Sequence, residues 1–237
     1  MVRRMKTLLA LAVSMLLATP VLAEEAGFAE RFAARNPLTL AVLASEFPSD
    51  LTLLEVRLRA IETLGQGDLI AGAAAFNAVG EIRKKYAPRI RFAPPEALAS
   101  LLQATASFHE AVFAGEGPAA CGLFAQNGTG TLFQLSLSDK YAAEIDRQSA
   151  LFLEAVVAAI ERPEAYGPTG EQDFATLLAV MGRAGVPASY GVAIASGRPE
   201  NDELCPALAT MFKAAAAFDA PQGLRVRADL AQNLAGY

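Results

Sequence analysis

Between Ser138 and Arg162 the chain reads SDKYAAEIDRQSALFLEAVVAAIER, and no residue in it interrupts a helix. Tyr141, Ile145, Phe152, Val156 and Ile160 recur at helical spacing, and Leu151, Leu153 and Val157 spread the apolar surface over most of the circumference. The polar positions Lys140, Arg147, Glu154 and Glu161 stand seven apart and fall on one line. A helix wetted along a single strip is packed on its other sides. The pattern predicts a central helix over 138–162, clasped by others.

Upstream, Phe28, Ala29 and Phe32 share a helical face, Pro37 restarts the chain, and Leu40, Leu43 and Phe47 lead to a stop at Pro48. Ser49 suits the N-cap of a helix with the stripe Leu51, Leu54, Leu58 and Ile61, closed by Gly65. Asp68 opens another, expected to run to Tyr86 before Pro88, and its Gly72, Ala73, Ala74, Ala75 and Gly80 leave room for a close neighbour. Residues 50–86 read as a helical hairpin; no second copy follows at the ~34-residue period of a repeat array. Arg89-Ile90-Arg91-Phe92 alternates as a short extended piece would, and Pro94-Pro95 then opens a helix through Phe113.

The character changes between Gly115 and Ser136. Asn127-Gly128 stands between the apolar runs Leu123-Phe124-Ala125 and Leu132-Phe133, which predicts a small hairpin or structured loop over 121–136. After a connector from Pro163 to Gly170, Thr169 and Gln172 fit a capping box, and Phe174, Leu177, Leu178 and Met181 carry a helix to Gly185. Over 186–197 the alternation of Tyr190, Val192 and Ile194 competes with a short helix. Asn201 or Asp202 caps a helix bearing Leu204, Leu208, Met211, Phe212, Ala215 and Phe218, and a last helix follows from Gln222. The expected fold is all-α or nearly so, a single domain over 24–237 with roughly seven to nine helices around 138–162.

The first residues change the biological setting. Arg3, Arg4 and Lys6 precede an apolar run from Leu8 to Leu17, and Val21-Leu22-Ala23 is followed at once by Glu24-Glu25. This is the layout of a cleaved signal peptide, residues 1–23, and the run is shorter than the ~20 residues of a membrane span. The expected mature chain is exported, periplasmic or extracellular, with no transmembrane segment. Losing three bases and no acids takes 20 bases against 25 acids to 17 against 25, a formal charge of −8. That balance argues against nucleic acid as a partner, because phosphate binding draws on basic surface. The two cysteines, Cys121 and Cys205, are expected to form a disulfide in an oxidising compartment.

Candidate chemistry is sparse. His109 is the single histidine, and His109-Glu110-Ala111-Val112-Phe113 has Phe where a zinc-protease helix needs its second imidazole. No metal and no cofactor is expected. A nucleophile elbow, a phosphate loop and a dinucleotide fingerprint are all missing from the sequence. The residues nearest to a catalytic role are Glu110, beside the glycine-rich stretch, and His109; His109 is otherwise read as a hydrogen-bonded side chain on the apolar face of its helix. Arg83, Lys84, Lys85, Arg89 and Arg91 cluster within nine positions of an acidic chain. They read either as the solvated end of a helix or as a patch for an anionic lipid or envelope polymer. The leading functional expectation is a non-enzymatic module that binds an envelope protein. The alternatives are a carrier of an apolar small molecule between helices and a carboxylate-dependent hydrolase with Glu110.

Overall fold

The helical periodicities resolve into eleven α-helices and no strand among the described residues, 27–65 and 67–236 of a computed structural model. The expected signal peptide lies outside the described residues. In order the helices are α1 (Phe28–Arg35), α2 (Pro37–Glu46), α3 (Pro48–Thr63), α4 (Asp68–Ile90), α5 (Pro95–Asn127) and α6 (Gly130–Gln134). They continue with α7 (Ala142–Glu161), α8 (Glu171–Arg183), α9 (Ala188–Ser196), α10 (Leu204–Ala217) and α11 (Pro221–Asn233), before a closing 3₁₀ turn, Leu234–Gly236.

α7 is the helix singled out by its apolar pattern. Ile145, Ala150, Phe152, Leu153, Ala155, Val156 and Ala159 are buried, while Arg147, Glu154 and Glu161 stay exposed along the expected strip. Each of Phe152, Leu153 and Val156 contributes about 1.5–3 kcal/mol by leaving water. α2, α4 and α5 pack against α7, and α5 makes the most extensive pairing of the fold with α10. The helix begins at Ala142, not Ser138, because residues 138–141 turn to meet α5. There Tyr141 Oη donates to Glu116 Oε1 at 2.9 Å, and Lys140 Nζ reaches the same oxygen at 2.5 Å. At the far end Ile160 emerges, 54 % exposed.

Several boundaries differ from the expected ones, each through proline or glycine. α2 does stop just before Pro48, with Phe47 as its C-cap, but Pro48 also begins α3, where a missing N–H removes no intrahelical bond; Phe47, not Ser49, is the N-cap. Pro88 sits inside α4, one turn from its end, and the helix continues to Ile90, which is fully buried. The extended piece over 89–92 is therefore absent. The expected hairpin at 121–136 is also replaced by helix. α5 kinks at Gly117 (φ +77°), restarts at Pro118 and runs to Asn127, and Gly128 (φ +72°) ends it before α6. A type I′ hairpin needs positive φ at both turn residues. Only Gly128 has it, which is the requirement of a helix terminus. Only half of the expected capping box of α8 forms, one position on: Gly170 N–H donates to Asp173 Oδ2 at 3.0 Å, and Thr169 Oγ1 donates instead to Arg225 O at 2.9 Å. Residues 188–196 resolve as helix.

Cys121 on α5 and Cys205 on α10 lie at disulfide distance, with Cα atoms 5.7 Å apart across the main helix pair. Around them Phe108, Val112, Phe124, Leu132, Tyr141, Ile145 and Leu204 form a second apolar cluster beside the main core. Buried Arg227 on α11 joins distant ends of the fold: Nε donates to Ala215 O at 3.1 Å, Nη1 to Pro95 O at 3.0 Å, and Nη2 to Asp219 Oδ1 at 2.9 Å.

Candidate functional site

The N-terminal helix α1 lies across α4 and α7 without a single fully buried residue. Beneath it is an apolar cleft with about 60 Å³ of internal space. α1 supplies Phe28 and Phe32, α4 supplies Gly72, Phe76 and Val79, α6 supplies Phe133, and α7 supplies Ala142, Ile145 and Ser149. The rings pair as Phe28–Phe32, with centroids 6.4 Å apart, and Phe76–Phe133, at 4.9 Å. Gly72 matters because it lacks a side chain: a Cβ there would lie 3.4 Å from Phe133 Cε1. The small residues of α4, expected to admit a neighbouring helix, thus open a floor for aromatic rings.

The rim is polar. Arg31, Arg35 and Asn36 stand on one side, Ser138 and Asp139 on the other. Arg35 clasps Asp139 through two contacts, Nη1–Oδ1 at 2.7 Å and Nη2–Oδ2 at 3.1 Å. Both side chains are well exposed, 50 % and 68 %. A shallow groove of about 370 Å³ continues past the Phe76–Phe133 pair along Ile70, Ala73 and Asn77. On the opposite face of α1, Ala29 and Ala33 overlook a groove of about 310 Å³ against Leu51, Leu54 and Leu58 of α3. A fourth, more polar groove of about 520 Å³ runs between Ser100, Gln103 and Ser107 of α5 and Glu144 and Arg147 of α7.

The residues singled out in the sequence lie elsewhere. His109 is fully buried, its Nδ1 donates to Thr105 O at 2.8 Å, and its ring sits 4.8 Å from Phe124 and 5.4 Å from Phe212. Burial pushes its pKa down to about 4, against the pull of the Thr105 carbonyl, so the imidazole is neutral near pH 7. The sulfurs of Cys121 and Cys205 lie 3.4 and 3.8 Å from its backbone oxygen. Glu110 points outward and pairs with Lys213 of α10 at 2.5 Å. It lines none of the four clefts, and each of them carries at most one carboxylate. Among the described residues no group of three or more His, Cys, Asp or Glu could hold a metal ion.

The five clustered bases do not make one surface. Arg83 is 2 % exposed, lies 5.1 Å from the Phe152 ring centroid and donates to Leu234 O. Its Nε has no hydrogen-bond partner, and burial lowers its pKa to about 10. Lys85 Nζ reaches Asp50 Oδ1 at 2.7 Å, and Tyr86 Oη donates to Asp50 Oδ2 at 2.7 Å. Burial raises the Asp50 pKa, but the hydrogen bonds from Lys85 and Tyr86 outweigh it and the net shift is downward. Arg91 donates to Gly167 O at 3.3 Å. Lys84 and Arg89 remain exposed.

The aromatic cleft was not legible beforehand. Phe28, Phe76 and Phe133 are separated by about 50 residues each, and only the glycine inside a helical stretch at position 72 hinted at an opening. No family model, no curated protein and no solved structure matches the chain.

Proposed function

We propose that the protein binds an apolar small molecule in the cleft beneath α1. The convergence of Phe28, Phe32, Phe76 and Phe133 from three separate helices on the floor formed by Val79 and Ile145 carries this reading. Protein interiors are packed to near-crystalline density, and ligand sites are concave, aromatic-lined and bordered by a few polar groups. The signal-peptide pattern supports a carrier acting outside the cytoplasm. The carboxylate-hydrolase alternative draws no support from the position of Glu110. The test is Gly72→Leu, which fills the floor at a helical position where a larger residue raises helix propensity. Titration with an apolar fluorescent probe should be saturable for the native protein and about tenfold weaker for the variant. Equal binding by both proteins retires the site.

A second reading, docking of an envelope protein, is favoured by α3. Leu53, Val56 and Leu64, at 48 %, 54 % and 68 % exposure, with exposed Ala60 between, line up on its outward face at helical spacing. Leu53→Glu with Val56→Glu should abolish any cross-linked partner while leaving probe binding intact.

A further inference from the structure

We propose that the polar groove between α5 and α7 binds a short zwitterionic peptide of the dipeptide class, with Glu144 taking its ammonium end and Arg147 its carboxylate end. This second site shares no lining residue with the cleft beneath α1.

The groove holds about 520 Å³, a volume within the range of small-molecule sites. The two helices that wall it run antiparallel. Arg162 Nη2 meets Glu96 Oε1 at 3.2 Å at one end, and Tyr141 Oη donates to Glu116 Oε1 at 2.9 Å at the other. Between them Gln148 Nε2 donates to Thr105 Oγ1 at 3.2 Å, a register that puts 103–107 of α5 across from 147–151 of α7. The α7 wall carries one acid and one base, Glu144 and Arg147, three residues apart. Opposite charges at that spacing ordinarily pair on a helix surface. Here no ion pair joins them, and neither side chain bonds to another group among the described residues; both line the groove instead. These are the groove's charged groups, and they sum to zero. A ligand with a single charge leaves one of them unmatched, whereas a zwitterion meets both. The Cβ atoms of helical residues three apart stand about 5–6 Å from each other. The ammonium and carboxylate of an extended dipeptide stand roughly 6–7 Å apart. A free amino acid carries both charges on one carbon and falls short of that span. On the facing wall, the side chains of Gln103 and Ser107 also have no partner among the described residues. The Gln103 amide offers both a donor and an acceptor, which is what the peptide group between the two ends requires. Leu151 and Ala104 add apolar surface against which a ligand side chain can rest.

The test titrates alanyl-leucine, its N-acetyl form and its C-terminal amide into the full chain by calorimetry near neutral pH, where both ends of the free dipeptide are charged. Glu144→Gln and Arg147→Gln are measured alongside; neither side chain is bonded to the rest of the fold, so each variant is expected to fold. The native protein should bind the free dipeptide saturably, and about two- to fivefold more tightly than either blocked form. Glu144→Gln should lose the discrimination against acetylation and keep that against amidation. Arg147→Gln should do the reverse. No saturable binding, equal affinity of the native protein for the three ligands, or variants that weaken all three alike overturns the assignment, and the reading of the cleft beneath α1 stands in each case.

Discussion

Asp146 on α7 caps α2 from across the core: its Oδ1 accepts from Thr39 N–H at 2.8 Å, its Oδ2 accepts from Leu38 N–H at 2.9 Å, and Thr39 Oγ1 donates back to Asp146 O at 3.2 Å. Asn36, at the N-cap position of α2, makes no side-chain cap there and turns the other way, donating from Nδ2 to Phe32 O at 2.9 Å and closing α1. A negative charge at a helix N-terminus is favoured by the dipole as well as by the orphan N–H groups. Asp146→Ala would leave buried donors without acceptors, at a cost of roughly 2–4 kcal/mol. Thermal unfolding should show Tm lower by about 5–15 °C. A loss below about 1 kcal/mol would mean that water enters and replaces the carboxylate.

The pairing of Cys121 with Cys205 predicts that unreduced, denatured protein shows no reactive thiol. The span of 84 residues between them implies a stabilisation of about 4–5 kcal/mol on the chain-entropy model. Cys121→Ala with Cys205→Ala should lower the urea midpoint by an amount equivalent to about 2–5 kcal/mol. Two thiols titrating in the unreduced, denatured protein would contradict the pairing.

Acid should weaken the fold in two steps. The unfolded chain protonates His109 near pH 6.5, whereas the folded chain does so only near pH 4. Protons therefore favour the unfolded state as pH falls through that interval, and about 3 kcal/mol of stability present above it is lost by its lower end. His109→Asn, which retains a donor toward Thr105, should flatten stability between pH 6.5 and 4 in urea titrations. The second step belongs to Asp173, whose pKa the Arg225 hydrogen bonds, helped by Gly170 N–H, lower from 3.8 to about 2. Its contribution is intact above about pH 4 and disappears as pH falls toward 2.

Two helical glycines should respond in opposite directions to alanine. At Gly72 the new methyl group meets only a ring edge, at 3.4 Å from Phe133, and reduced backbone freedom should stabilise the fold by about 0.5–1 kcal/mol. At Gly122 the methyl group would collide with the backbone oxygen of Pro199, which cannot swing aside. Gly122→Ala should cost about 1–3 kcal/mol, measured by the same denaturation.

The limits of reading the chain alone show at particular residues. Arg83 looked like one of five surface bases, since a charged side chain near a helix end is ordinarily solvated. Its burial depends on Phe152 and on Leu234 O, 151 positions away. Asn127-Gly128 carried a genuine signal, because Gly128 does adopt positive φ. The dipeptide could not say whether the chain returns as a strand or simply leaves a helix. The aromatic cleft was invisible for a plainer reason: each of its phenylalanines also reads as ordinary core.

The sequence by itself determined most of the helices, though not the helical course of 121–134 or the end of α4, together with the buried faces of α7, α3 and α10 and the wet strip of α7. Helical period is a local property that 3.6 residues per turn imposes on every segment separately. Tertiary structure alone decided which helix ends are capped by distant residues, which base is swallowed, and where α1 leaves a gap. Those outcomes depend on contacts between segments far apart in the chain, and a carboxylate at position 146 acquires its meaning only when an N-terminus arrives beside it.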